Sequence, residues 1–425
     1  MRKHKHIKRM ACLLVGMVGA LMLGGLRATP ALAHGEAAQP AFLKEGTIAF
    51  WDVKFSSNTI KMGQDLTITG KVRFLEGWPN NLADPSLVWL SAVAQGPRVL
   101  VMERYINDQF TPSSWVVEKG NNYTFKEVLR GRSPGTYHVH PMMATKGAGP
   151  IIGPGQYVTV VDTGAEFANN VNLLSGETID LETYGRGTVI SWHLIVVLVA
   201  VPWLLFWLLR PLVIRAKYVG TGAEAERRLV SKRDRMIGYG IGAVMIVVLL
   251  IGNLITSNSY PVTIPQQTIR IAPPALPPSP QLASLDPYTT TVTYGPTTQT
   301  VLATLKVTNT GHSPVILDRF ATASYEFANQ ATHPNAQNPF TVDNPNPIAP
   351  GETRKLQVTM ADAVWQTDNL IPINEVQLIL RGVFLFRDST GTEAPVEINA
   401  PINVDYKVLL EHGNARLPQL HTNQF

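Results

Sequence analysis

Two histidines one residue apart, in GTYHVHPMM (residues 135–143), have the types and spacing to share a metal ion. On a strand, alternate side chains lie on one face, so His138 and His140 project together while Tyr137 and Val139 face the other way, toward a core. Their Cα atoms are then roughly 6.5–7 Å apart, at ~3.3 Å per residue, and two imidazoles at that separation can converge. Pro141 follows at once and is expected to end the hydrogen-bonded ladder, leaving the pair at an accessible strand end. Alone, such a pair describes solvated surface histidines as well as it describes ligands. A third histidine alters the balance. In ALAHGEAAQP (residues 31–40), Ala31-Leu32-Ala33 is a small-x-small cleavage pattern, and a cut after it makes His34 the first residue of the mature chain. A terminal histidine offers its amine and its imidazole to the same ion. Three imidazoles and one amine form an all-nitrogen set that suits Cu(II), with Ni(II) and Zn(II) as competitors, and copper is the expected metal. These groups bind deprotonated. With ordinary values of about 7.7–8.0 for the amine and about 6.5 for imidazole, affinity is expected to fall as pH drops through that range.

The elements that must position these residues begin with a leader. Arg2, Lys3, Lys5, Lys8 and Arg9 form a charged start, Ala11 to Leu26 an apolar stretch, and residues 1–33 are read as a cleaved signal peptide. Its removal changes the charge. The formal +5 includes six basic and no acidic residues of the leader, so residues 34–425 carry 30 basic against 31 acidic side chains. A basic balance confined to a discarded segment gives no support for nucleic-acid binding. Cys12, the only cysteine, also lies in the leader. The mature chain then has neither a disulfide nor a thiolate metal site, and any metal depends on His, carboxylate or backbone groups.

Two more apolar runs, Val189 to Leu209 and Met236 to Thr256, each extend 21 residues without a charge. At about 1.5 Å per residue each reaches roughly 30 Å, the thickness of a bilayer core. The intervening loop, 210–235, carries eight Lys/Arg against Glu224, Glu226 and Asp234, which places it in the cytoplasm by the positive-inside rule. The leader independently puts residues 34–188 outside, and the second span returns the chain to that side. Both exported parts alternate like strands: Leu66, Ile68, Val72 and Phe74 in DLTITGKVRFL, Val301, Ala303, Leu305 and Val307 in VLATLKVTN, and Leu356, Val358 and Met360 in RKLQVTM. The expected fold class is mainly β with two transmembrane helices: two exported β-barrel or sandwich domains, 34–188 and 291–425, joined through a helical membrane hairpin (189–209 and 236–256). Residues 257–290 form a Pro-rich linker whose core, IAPPALPPSPQLASLDP, suits either an extended spacer or a strap over the domain surface.

Other candidates are weaker. Met142 and Met143 suit Cu(I) as thioethers but suit core filling better. His193 lies inside the first apolar run, where it serves function or hydrogen-bonds locally. His312, in NTGHSP, is a turn residue, and Glu36 and Glu76 have no geometry to assign them roles. No phosphate loop in a strand–helix setting, nucleophile elbow or HExxH is present in the sequence.

ALAHGE, FLEGWP (74–79), YHVHPMM (137–143), GAGPIIGPG (147–155), YPVTIP (260–265) and APGETR (349–354) together resemble the B subunit of the copper membrane monooxygenases, the family of particulate methane and ammonia monooxygenases and their short-hydrocarbon relatives. The resemblance runs from the leader to about residue 400 and includes the order of domain, two spans and domain. It implies that both exported parts are cupredoxin-like and that copper is held by His34, His138 and His140. Some members carry a further mononuclear copper on two other histidines of the first domain. Those positions correspond to Ala49 and Arg73 here, so that second site is expected to be absent. The resemblance also implies A and C membrane subunits in a trimer of heterotrimers, with insertion of one O₂ oxygen into methane, ammonia or a short hydrocarbon. Two electrons would come from a quinol or other donor, and the catalytic copper would lie here or in the C subunit. The bilayer is the inner or intracytoplasmic membrane of a bacterium, with both large domains periplasmic.

Two other classes remain open: a membrane-anchored periplasmic copper carrier without enzymatic activity, and a purely structural assembly protein indifferent to its histidines. A carrier has no use for two spans and a second large β domain. The leader reading predicts an intact mass corresponding to a mature chain that starts at His34; a start elsewhere removes the chelating amine.

Overall fold

The structure, a computed structural model, describes residues 46–94, 96, 98–173, 175–208, 231–259, 270–295, 298, 300–361 and 378–404. These are mainly β strands, with two long helices. They divide into two compact units: the described parts of Met1–Asp162 with Arg270–Phe425, and those of Thr163–Ile269.

The first β region is two facing sheets. One has the order β1 (Ile48–Phe55), β3 (Asp65–Phe74), β8 (Asn122–Gly131), β5 (Val99–Ile106), β6 (Gln109–Phe110). The other runs β2 (Thr59–Lys61), β11 (Gln156–Val161), β9 (Gly135–Thr145), β4 (Leu87–Val93), β7 (Trp115–Val116), with β10 (Gly149–Ile152) also paired to β9. Strand parity builds the core, because period-two alternation buries every second side chain. Leu66, Ile68, Val72 and Phe74 are fully buried, as their alternation predicts, and meet Phe50, Phe125, Leu129, Val139 and Met143. Gly70 occupies the one inward position of β3 without a side chain; a Cβ there would lie 2.7 Å from the Phe125 ring.

In the second β region, β16 (Thr300–Asn309), β15 (Thr291–Gly295), β22 (Glu393–Val404), β21 (Ile379–Asp388), β17 (Val315–Ala321), β18 (Glu326–Asn329), β19 (Pro339–Val342) and β20 (Thr353–Ala361) pair in sequence. Since β20 also pairs with β16 over Thr300–Thr308, the ring of strands is closed, and β14 (Ala283–Leu285) extends β16. Closure removes exposed edges that would otherwise pair with other chains. Val301, Ala303, Leu305 and Val307 face Leu356, Val358 and Met360 inside it, with Phe320, Phe327, Phe340, Phe384 and Phe386.

These two regions interlock. Ala49, Trp51 and Leu75 of the first form a shared apolar cluster with Ala321, Val383 and Leu385 of the second. The Phe50 amide donates to the Thr322 carbonyl at 3.0 Å, and the Ser324 hydroxyl to the Ile152 carbonyl at 2.7 Å. Arg319 is 13% exposed at its side chain and reaches Asp52 at 2.8 Å and Glu393 at 2.5 Å; Glu326 also pairs with it. Arg73 pairs with Glu397 at 2.5 Å. The Pro-rich connector is a strap. The Ile271 amide donates to the Ser114 carbonyl, the Val116 amide to the Ile271 carbonyl, and Asn107 Nδ2 to the Pro274 carbonyl. Prolines lack donors but keep acceptors, so such a segment is held through its carbonyls.

The second unit opens with a short hairpin, β12 (Asn170–Asn172) and β13 (Thr178–Asp180), whose Asp180 carboxylate accepts the Asn169 and Glu182 amides. Helix α1 (Arg186–Leu208) and helix α2 (Lys232–Ser259) follow. Ser231 and Asp234 cap α2 reciprocally, each side chain accepting the other's amide. Trp192 of α1 lies over Gly252 of α2, where a Cβ would come within 2.6 Å of the indole. By length and composition α2 is long and apolar enough to cross a membrane. Residues 209–230, most of the basic loop, lie outside the described residues.

One inward position breaks the apolar pattern. On β8, Tyr123, Phe125 and Leu129 are buried, and so is Glu127, opposite Ile68 of β3 and Arg104 of β5. Among the described residues neither carboxyl oxygen has a hydrogen-bond partner. Burial pushes the Glu127 carboxyl up to about 8, with Arg104 pulling partly the other way. The unfolded chain releases this proton near 4.5, whereas the folded chain keeps it to about 8, so stability falls as pH rises across that window. Glu127→Gln removes this contribution. Relative to the variant, the full-length protein is expected to lose on the order of a few kcal/mol between pH 5 and 8. A melting-temperature difference that stays constant over the range would contradict this.

Candidate metal centre

Tyr137, Val139 and Met143 of β9 point into the core, which directs His138 and His140 to the opposite face, as their parity predicts. Pro141 does not end the strand: β9 continues to Thr145. The proline stands where the neighbour changes. Gly135–Val139 pairs with β11, Met142–Thr145 pairs with β10, and no partner strand lies opposite Pro141 on that side. A residue with no N–H costs nothing at a gap in the ladder. The Pro141 carbonyl still accepts the Gly153 amide at 2.8 Å.

The gap is filled by the Gly153-Pro154-Gly155 loop between β10 and β11, and this loop shapes the site. His140 Nδ1 lies 2.9 Å from the Gly153 carbonyl oxygen. A carbonyl only accepts, so Nδ1 carries the hydrogen and the lone pair of the neutral ring is on Nε2. His140 Nε2 in turn accepts a hydrogen bond from His138 Nδ1 at 2.9 Å, with ring centroids 4.2 Å apart and planes at 78°. His140 is buried, at 4% exposure, although it is on the outer face of its sheet. The loop covers it: a Cβ at Gly155 would sit 2.1 Å from His140 Cε1 and 2.2 Å from Nδ1. On the other side Tyr157, the register partner of His138 on β11, stacks on its imidazole with centroids 4.5 Å apart and planes at 24°.

Thus the fold brings His138 and His140 together through nitrogens aimed at each other. His34 lies outside the described residues, and among those described no group of three His, Cys, Asp or Glu side chains could hold a metal. Met143 is fully buried in the core, and Met142 is half-buried on the histidine face. His193 Nδ1 donates to the Val189 carbonyl one helical turn earlier, and His312 is exposed in its turn. The Glu76 amide donates to Glu397, making that residue part of the domain interlock.

Ala49 and Arg73 face each other across β1 and β3. Alanine has no donor atom, and guanidinium has no lone pair for a metal. Ala49 is buried in the apolar cluster between the β regions, while Arg73 donates to Glu397 and to Asn122. Asn122 in turn donates to Ser279 of the strap. A cation of the chain's own thus stands at this position and ties three segments together.

Sequence reasoning missed Gly153, Gly155 and Tyr157. Gly-Pro-Gly directly before a strand is a signal of close approach, but what approaches is fixed only by strand pairing across the loop.

The sequence family of monooxygenase B-subunit proteins matches residues 35–405. The chain is 35% identical over 401 residues to the Particulate methane monooxygenase alpha subunit of Methylococcus capsulatus (strain ATCC 33009 / NCIMB 11132 / Bath), covering 91% of this chain and 96% of that protein. Among solved structures, the cupredoxin domain of amoB from Nitrosocaldus yellowstonii is 18% identical with a TM-score of 0.23, over 28% of this chain and 89% of that one. A protein of unknown function from Porphyromonas gingivalis W83 gives 9% identity and a TM-score of 0.17, over 84% and 100%. Overlaps at those scores carry no argument, whereas the match across most of the sequence does: this chain belongs to the family of monooxygenase B-subunit proteins.

Proposed function

We propose that this chain is the copper-binding B subunit of a membrane-bound monooxygenase complex that hydroxylates a small substrate (methane, ammonia or a short hydrocarbon) with O₂ and two electrons. Family membership supports the reaction class. What supports the metal is that the outer face of one strand brings His140 Nε2 and His138 Nδ1 within 2.9 Å, an approach bridged by a hydrogen bond in the metal-free chain. A divalent ion bound there would take the place of the proton between the two nitrogens, and an all-nitrogen ligand set would suit Cu(II).

On this reading His138 and His140 would supply two nitrogen ligands, and the amine and imidazole of His34 would supply the others after the leader is removed. Copper, when bound, supplies a one-electron redox centre and a Lewis acid. The chain's part is to bring two imidazoles to one point, keep one of them dry, and hold its proton on Nδ1 so that Nε2 stays basic. Helices α1 and α2 serve as bilayer spans, with residues 34–188 and 291–425 as cupredoxin-like domains on the periplasmic side and the basic loop inside. The relative's name makes it one subunit of a particulate methane monooxygenase. By extension this chain assembles with A and C membrane subunits and draws electrons from a quinol or similar donor.

The test is copper content and turnover of the intact membrane complex carrying His138→Ala with His140→Ala. Copper per protomer is expected to fall by the amount held at this site, and turnover to fall with it. Full turnover despite copper loss would remove the site from the reaction, and unchanged copper would remove the metal from the site.

A further inference from the structure

Three independent contacts to the histidine pair come from one five-residue segment, Gly153 to Tyr157. We infer that this segment is a preformed positioning frame for the candidate copper pair: the Gly153 carbonyl selects the nitrogen that His140 presents, the missing side chain of Gly155 makes the slot for its ring, and Tyr157 sets the plane of His138. The inference rests on the copper reading given above and adds to it residues that touch the ligands without themselves ligating.

The physical argument has three parts. An imidazole can bind a metal through either nitrogen, and a hydrogen bond from one of them decides which is left. Gly153 makes that decision for His140, at 2.9 Å and away from solvent. The slot is stricter. A methyl group at residue 155 would lie 2.1 to 2.6 Å from three atoms of the ring, inside any tolerable contact, and the ring is held by the Gly153 bond on one edge and faces His138 on another. The ring has to leave for the methyl to enter. Finally, His138 has Tyr157 stacked along its face, and Tyr157 is 59% exposed, so that ring is a shield between the imidazole and solvent rather than part of the core. Two of the three contacts come from backbone or from the absence of a side chain, so they are in place before any ion arrives. Such preorganisation lowers the ordering cost of binding.

The experiment uses the full-length protein in its membrane complex, depleted of copper and titrated with Cu(II). Electron paramagnetic resonance and copper per protomer are the readouts, and the melting temperature of the copper-free protein is the fold control. Gly155→Ala is expected to weaken copper binding by ten- to a hundredfold, the usual effect of disturbing groups around metal ligands, and to shift the copper spectrum. Tyr157→Leu is expected to weaken binding severalfold and alter the spectrum, while Tyr157→Phe, which keeps the ring, restores both. Tyr157→Leu lies at an exposed site, so it decides the matter if Gly155→Ala does not fold. Copper affinity and spectrum unchanged in Gly155→Ala or in Tyr157→Leu, while His138→Ala with His140→Ala removes one component of the spectrum and its share of the copper, would overturn the frame and leave the copper site standing. A double histidine variant whose spectrum and copper per protomer equal those of the unaltered complex would overturn both.

Discussion

The hydrogen bond between His140 Nδ1 and the Gly153 carbonyl is the interaction on which the arrangement of the candidate centre depends. It links a side chain of one strand to the backbone of a loop between two others, and it fixes both the orientation and the tautomer of a buried ring. For it to form, the ladder beside β9 must be interrupted, and Pro141 is the residue that tolerates the interruption. The loop must then approach closely enough to leave no room for a side chain at Gly155. Proline, histidine and the two glycines are consequences of one geometric demand: an imidazole on the outer face of a sheet, kept from water.

A second constraint holds the two β regions as one unit. Its apolar part is small, six residues around Ala49 and Leu385. The polar part is unusual in placing single guanidinium groups among several carboxylates. Arg319 meets Asp52, Glu326 and Glu393, and Arg73 meets Glu397. Desolvated ion pairs of this kind add little net stability over an apolar contact, yet losing one partner is costly because the other is left buried. They join particular residues of the two regions, Arg319 of the second to Asp52 of the first and Arg73 of the first to Glu397 of the second.

How much of this is legible in the sequence follows from what each feature depends on. Strand parity is local, so Leu66 to Phe74 and Val301 to Val307 announce their buried faces, and the shared face of His138 and His140 follows from the same rule. Ring closure between β16 and β20 depends on pairing about fifty residues apart, and nothing local encodes it. Pro141 misleads because a missing donor reads as a strand end, when it marks a change of partner. Arg73 stands at an outward parity position in DLTITGKVRFL. It does point outward, but its partner is 324 positions away. Glu127 is illegible because its parity places it inside while its charge argues for outside; it sits there as a carboxyl that burial keeps protonated up to about 8. For the centre itself the pair is readable and the frame is not. His34 falls outside the described residues.

The interlocked β unit is interrupted in sequence by the residues of the second unit, and translation has to respect that order. At about 5–20 residues per second, a ribosome takes roughly 10–45 s to pass from residue 162 to Leu385. During that interval the first β region already exists as a contiguous stretch, but the surface formed by Ala49, Trp51 and Leu75 has nothing to cover it. A nascent chain therefore carries an uncapped apolar patch for a period far longer than collapse requires. The hazard of misassociation on that face is greatest before the last strands are made.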